Sequence, residues 1–247
     1  MSEYTNLSPT GHTLFDIARG MMAEATPVNI FGTNPAVGDG AYETIWEYGG
    51  KYVYPTQPLV MTAVSSNAGD TSMPVLINGL DADYNEISET IILNAVDATT
   101  PVTGTKEFFR INSTVILSGS NLGNISITNS AVVYSYITIG SGLSQACIYT
   151  VPAKSSLYLF RIDANSATTN GQKYLTLRNE TVTSAGRALH VAKVTFAESS
   201  VSYDRQVPFR ITEKTDFQFE CVSSSSTNEV AVLVEGILLK DPSDLRR

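Results

Sequence analysis

The sequence predicts an all-β protein built as two β-sandwich, jelly-roll-like domains behind a short N-terminal helix and arm. Three observations predict it. From Val28 onward, short β-type runs recur between clusters of Gly, Pro, Asn, Asp and Ser. Several runs alternate: across Val132–Ile139, one face collects Val133, Ser135, Ile137 and Ile139, the other Val132, Tyr134, Tyr136 and Thr138. The charge also steps near Gly140. Residues 1–140 hold 4 basic and 13 acidic residues, a net of −9, whereas residues 141–247 hold 12 and 11, a net of +1. The expected divisions are therefore 1–27 for arm and helix, 28–140 for the first sandwich and 141–247 for the second. Gly140-Ser141-Gly142 forms the joint.

The helix comes first. Thr13 followed by Asp16 is a capping signature, and Leu14, Ile17, Ala18 and Met21 then repeat at helical spacing. This predicts a helix from Thr13 to about Ala25, ended before Pro27 and preceded by a polar arm. With Phe15 and Met22, the apolar residues Leu14, Ile17 and Met21 make a surface large for so short a helix, which marks it as a docking element. The Pro- and Gly-bearing stretch Asn29–Gly38 is expected to run extended across a neighbour.

Strands follow. In the first half the candidates are Leu59–Ser66, Met73–Gly79, Ile87–Asn94, Phe108–Asn112, Thr114–Ser118, Asn124–Thr128 and Val132–Ile139. In the second half they are Ala146–Val151, Leu157–Asp163, Lys173–Arg178, Ala188–Ala197, Gln206–Ile211, Phe217–Cys221 and Val230–Leu239. Seven short strands on each side suit two sandwiches. No internal repeat links the halves.

Composition narrows the function classes. Only 16% of residues are charged, against about 25% in average proteins, so the polar surface comes from 26 Ser, 27 Thr and 15 Asn. A net charge of −8 argues against a nucleic-acid partner, which requires clustered Lys and Arg. No apolar run is long enough to span a membrane, and the opening MSEYTNLSPTGH lacks the pattern of a secretory leader, so the expectation is a protein made in a reducing cytosol.

Catalytic chemistry finds little to work with. His12 and His190 have no ligand-spaced partner, and Cys147 and Cys221 sit in apolar runs that read as core. Asp81, Asp83 and Asn85 imitate the start of a calcium loop, but the loop glycine and the closing glutamate are missing, so they read as a turn. Phosphate loops, nucleophile elbows and metal clusters are absent from the sequence. The expectation is no enzyme, no cofactor and no metal.

One cluster exceeds this texture. Between Tyr42 and Tyr54 lie Trp46, the single tryptophan, and four tyrosines. Trp46, Tyr48, Tyr52 and Tyr54 read first as a loop packed over a sandwich edge with Trp46 as its plug, and otherwise as an interface or sugar-stacking platform. The phrases Phe31-Gly32-x-Asn34-Pro35-x-Val37, Glu43-Thr44-Ile45-Trp46 and Gly49-Gly50-x-Tyr52 resemble structural proteins of tailed bacteriophages, notably marine ones. The likeness continues in residues 79–90, in Phe108-Phe109-Arg110-Ile111-Asn112, in Gly123-Asn124-Ile125, in residues 146–153 and in residues 208–216. One departure is Lys154, where relatives carry glycine after Pro-Ala. The resemblance implies a virion component made in the host cytoplasm. A capsid decoration or cement protein is its first form and a tail, collar or fibre part the second; the rival from a different class is a carbohydrate-binding adhesin module that uses Trp46, Tyr48, Tyr52 and Tyr54 as a stacking platform. Implied partners are the major capsid protein or other virion proteins, with self-association as a homo-oligomer, for instance a trimer.

Overall fold

A computed structural model describes residues 11–166, 173–181, 188–196, 200–224 and 227–240, and it is almost entirely antiparallel β. The polar arm before Gly11 and Ala197 at the end of one expected strand lie outside the described residues. The only helix among the described residues, α1, covers Thr13–Ala18. It is shorter than the expected run to Ala25 because Gly20, at φ +69°, turns the chain out of it. Thr13 is also not the cap; His12 holds that position, without a side-chain hydrogen bond to the helix. No helix among the described residues is long and apolar enough to cross a membrane.

Sixteen strands follow among the described residues. They are β1 (Ala25–Val37), β2 (Glu43–Thr44), β3 (Leu59–Ser65), β4 (Pro74–Leu80), β5 (Glu86–Ile92), β6 (Val102–Phe108), β7 (Arg110–Ile116) and β8 (Ile125–Asn129). Beyond them come β9 (Val132–Ile137), β10 (Ile148–Thr150), β11 (Ser155–Ser166), β12 (Lys173–Thr181), β13 (Ala188–Phe196), β14 (Ser200–Ile211), β15 (Thr215–Ser223) and β16 (Asn228–Lys240). They form four sheets, ordered β1-β16-β11-β14, β10-β15-β12-β13 with β2 on β15, β6-β3-β8-β9, and β5-β4-β7.

Three elements differ from the sequence expectation. The stretch Asn29–Gly38, expected to reach across a neighbour, lies within β1 as far as Val37, and β1 pairs with β16 of its own chain from Ala25↔Leu239 to Val37↔Asn228. Its prolines and glycine suggested loop, but β1 is a sheet edge, where a missing N–H costs no ladder bond, and Pro35 sits inside a register shift between Asn34 and Val37. Residues expected in the first domain therefore complete a sheet of the second half. β6 escaped notice because its sequence, VTGTKEF, is polar and largely exposed, as an edge strand can be. Phe108–Asn112 and Thr114–Ser118, expected as two strands, are redivided: Phe108 ends β6, and Arg110–Asn112 joins Thr114–Ile116 through Ser113 in β7.

Two hydrophobic cores result. One draws Ile30 and Val37 from β1, Leu157 and Leu159 from β11 and Val232 and Val234 from β16 against Cys147, Phe217, Phe219 and Cys221. The other gathers Met61, Val75, Ile77, Phe108, Ile125, Ile127 and Ile137 from the remaining two sheets. Between the halves stands a buried ion pair. Arg110 on β7 donates from Nε and Nη2 to Asp216 on β15, both at 2.8 Å, with the side chains 4% and 3% exposed. Arg110 also donates to the carbonyls of Pro55 and Phe109, and Thr150 Oγ1 donates to Asp216 Oδ1 at 2.6 Å. Burial alone would draw the guanidinium pKa down, but the hydrogen bonds and charge of Asp216 outweigh it and hold Arg110 charged. The departure at Lys154 fits its backbone: φ is +61°, the left-handed region that glycine occupies without strain.

Two outcomes test this frame in urea unfolding. An added Cβ at Gly32 would meet the backbone nitrogen of Cys147 and, at 2.7 Å, the carbonyl of Ile45, neither of which can rotate away. Gly32→Ala should cost about 1–3 kcal/mol, while Gly38→Ala, whose nearest atom is a Glu43 carboxylate oxygen at 3.4 Å, should be close to neutral. Asp216→Ala should cost about 3–5 kcal/mol by stranding a buried cation, and the apolar pair Arg110→Met/Asp216→Leu should recover part of that loss.

Candidate functional site

The predicted docking helix divides its residues between two sides. Ile17 is buried, and Met22, just past the helix, is half-buried, where α1 packs on β1. Leu14 and Phe15 are 67% and 71% exposed, and Met21 also faces outward. Ile17 thus pins the helix to its own chain while two large apolar side chains remain uncovered.

The aromatic cluster folds inward. Trp46 and Tyr52 are each 3% exposed and meet edge to face at 5.2 Å, beside Ile148. Trp46 Nε1 donates to the Gly50 carbonyl at 3.2 Å, closing a loop that Gly49 and Gly50 turn at φ +76° and +69°. Tyr54 is half-buried and donates to the Phe217 carbonyl at 3.1 Å, reaching from one half to the other. The platform reading is corrected accordingly: Trp46 and Tyr52 have no free face for a sugar, and the loop is a plug. Tyr48 alone of the four is largely exposed, its ring leaning on Tyr136 of β9 at 5.3 Å.

That contact opens onto a cleft of about 640 Å³ between the halves. Its floor is a cross-strand row, Thr33 of β1, Ala231 of β16 and Asn165 of β11, set side by side by the sheet register. Tyr136 and Thr138 face it from β9 and its extension, and Glu47 and Glu229 add carboxylates. Glu47 accepts a hydrogen bond from the Thr138 backbone at 3.2 Å. Partial burial pushes its carboxyl pKa up, against the hydrogen bonds from Thr138 and Gln145. Nothing in the sequence flagged this cleft, because its residues come from seven separate segments. Arg110 and Asp216 were likewise missed as a pair, although a charge at the head of an apolar strand is a visible signal.

The remaining candidates fall in a turn, a helix start, a strand and the core. Asp81 Oδ1 accepts from the backbone of Asp83 and Asn85 at 2.8 and 2.9 Å, an Asx turn. Slight desolvation raises its carboxyl pKa, and those hydrogen bonds more than offset it, leaving the net shift downward. His12 is exposed at the start of α1, and His190 lies in β13 opposite Arg178. Cys147 and Cys221 are free and buried in the core. Burial pushes both thiols up, that of Cys221 from 9.0 to about 12.

A raised thiol pKa favours the protonated native form, so this contribution to stability is complete below pH 9.0 and is lost as pH rises from there towards about 12. The folded protein should resist iodoacetamide at pH 8 and alkylate at both cysteines on unfolding, as read by intact mass.

No protein-family profile matches the chain, and no curated protein matches it. Among solved structures, a chain from an archaeal virus described by its triple jelly roll fold and turret assembly shares 10% identity at TM-score 0.27, covering 88% of this chain. This chain spans 60% of that neighbour's length. A chain of cowpea mosaic virus top-component empty particles shares 13% identity at TM-score 0.23, covering 78% of this chain and 86% of its own. A chain of the T13 particle of infectious bursal disease virus shares 12% at TM-score 0.22, covering 87% and 74%. Likenesses this distant assign neither a fold nor a role.

Proposed function

We propose that this protein is a non-enzymatic structural component of a tailed-phage virion, a capsid decoration or cement protein that clamps neighbouring major capsid subunits. In this reading its two cores belong to two jelly-roll-like sandwich domains, and the protein is made in the host cytoplasm and self-associates as a homo-oligomer. The sequence resemblance supports it, and so does the position of the resembling phrases. Gly32, Trp46, Arg110 and Asp216 all fall within them, and all stand where backbones crowd or the halves meet. A rigid body of that kind suits a fixed place on a lattice.

The observation that carries the docking role is the uncovered pair Leu14 and Phe15, exposed on a helix that Ile17 fastens to the body. Covering a large apolar side chain is worth about 1.5–3 kcal/mol, so two of them supply a usable anchor. The double variant Leu14→Asp/Phe15→Asp should keep its circular dichroism and melting temperature and lose about 100-fold in affinity for protein-depleted particles. Unchanged co-sedimentation of that variant would overturn the helix as the docking element. Copy number on purified virions separates the two places: lattice-scale occupancy means decoration, and a tail-scale count means a tail, collar or fibre part.

A further inference from the structure

The cleft between the halves has the composition of a ligand site. Its volume of about 640 Å³ falls in the range of roughly 300–1,000 Å³ typical of small-molecule sites. The floor is shaped by one small residue. Ala231 stands opposite Thr33 on one side and Asn165 on the other, so a hydroxyl and a primary amide flank a hollow that a larger side chain would fill. Phe31 stands two residues from Thr33 on the same face of β1 and is exposed. Across the hollow, the Tyr136 ring is held by Tyr48, and it gives a second apolar surface.

The polar groups are dense and of one kind. Asn124, Gln145 and Asn165 supply amides, and Glu47 and Glu229 supply carboxylates. Asn165 and Glu229 are exposed, and among the described residues their side chains make no hydrogen bond. Amides donate and accept at once, and a carboxylate accepts two hydroxyls, which is the pattern that vicinal hydroxyl groups satisfy. No Lys, Arg or His lines the cleft, so an anionic ligand would meet repulsion without compensation. Aromatic faces beside hydroxyl-matching groups, with no cation, select an uncharged or amino-bearing sugar ring.

We propose that this cleft binds a neutral or amino-substituted saccharide, held between Phe31 and Tyr136 and hydrogen-bonded by Asn165 and Glu229. The site is independent of where on a particle the protein sits. It also differs from the aromatic loop, whose Trp46 is sealed inside.

The test is a glycan array probed with the full-length chain and carrying neutral, amino-sugar, sialylated and sulfated glycans, followed by calorimetry on the best hit. Neutral or amino-sugar glycans should bind, and sialylated and sulfated ones should not. Asn165→Ala and Glu229→Gln should each weaken the best hit at least tenfold. Both side chains are exposed, so the melting temperature should not move, and that measurement separates lost binding from lost folding. Chemical-shift mapping on the unaltered protein should place the perturbation at Thr33, Tyr136 and Ala231. An array without neutral or amino-sugar hits, hits confined to anionic glycans, or a best hit indifferent to both substitutions would overturn the proposal.

Discussion

A guanidinium withdrawn from water must find its partners inside the protein, and the Arg110 side chain finds them at the place where the two halves touch. Asp216 meets it through two parallel hydrogen bonds from the far half, and the carbonyls of Phe109, just before β7, and of Pro55, before β3, accept from Nη1. Phe109, Tyr54 and Tyr84 lie around its plane, with the Phe109 ring centroid 3.9 Å from the guanidinium carbon. Apolar residues could fill such a joint as stably. The ion pair adds direction: its two-pronged geometry favours one orientation of β7 against β15.

Most of the fold could be read from the sequence where burial was one-sided. β3, β8, β9 and β16 alternate because one face meets a core and the other does not, and alternation is visible in a string of letters. The reading failed at edges. β1 carries Pro27 and Pro35, and β6 is polar between Val102 and Phe108 at its two ends, since an edge strand answers to one neighbour and to solvent. Pairing between residues 25–37 and 228–240 has no local signature at all, because it depends on which strand lies nearest in space rather than in sequence.

The site shows the same division. Packing of Trp46 could be anticipated, since a lone large aromatic flanked by glycines needs cover. The outward turn of Leu14 and Phe15 could be anticipated only in part; which helical residue faces in depends on where β1 lies. The cleft could not be anticipated. Thr33, Ala231 and Asn165 are ordinary residues in three distant strands, and only the sheet register sets them in a row.

The placement of β16 has a consequence for synthesis. This strand is interior to its sheet, with β1 on one side and β11 on the other, yet in the chain it follows every other described strand. A chain that stops short of Asn228 leaves Ile30, Val37 and Leu157 without their facing residues and β1 without its only partner among the described strands. β1 must therefore wait, unpaired, until the described strands between it and β16 have been translated, the slow, non-local closure that costs folding speed. In exchange the fold screens for β16: a stub broken off before Asn228 presents bare core and cannot mature, so only copies that carry this strand enter any assembly that requires the finished surface.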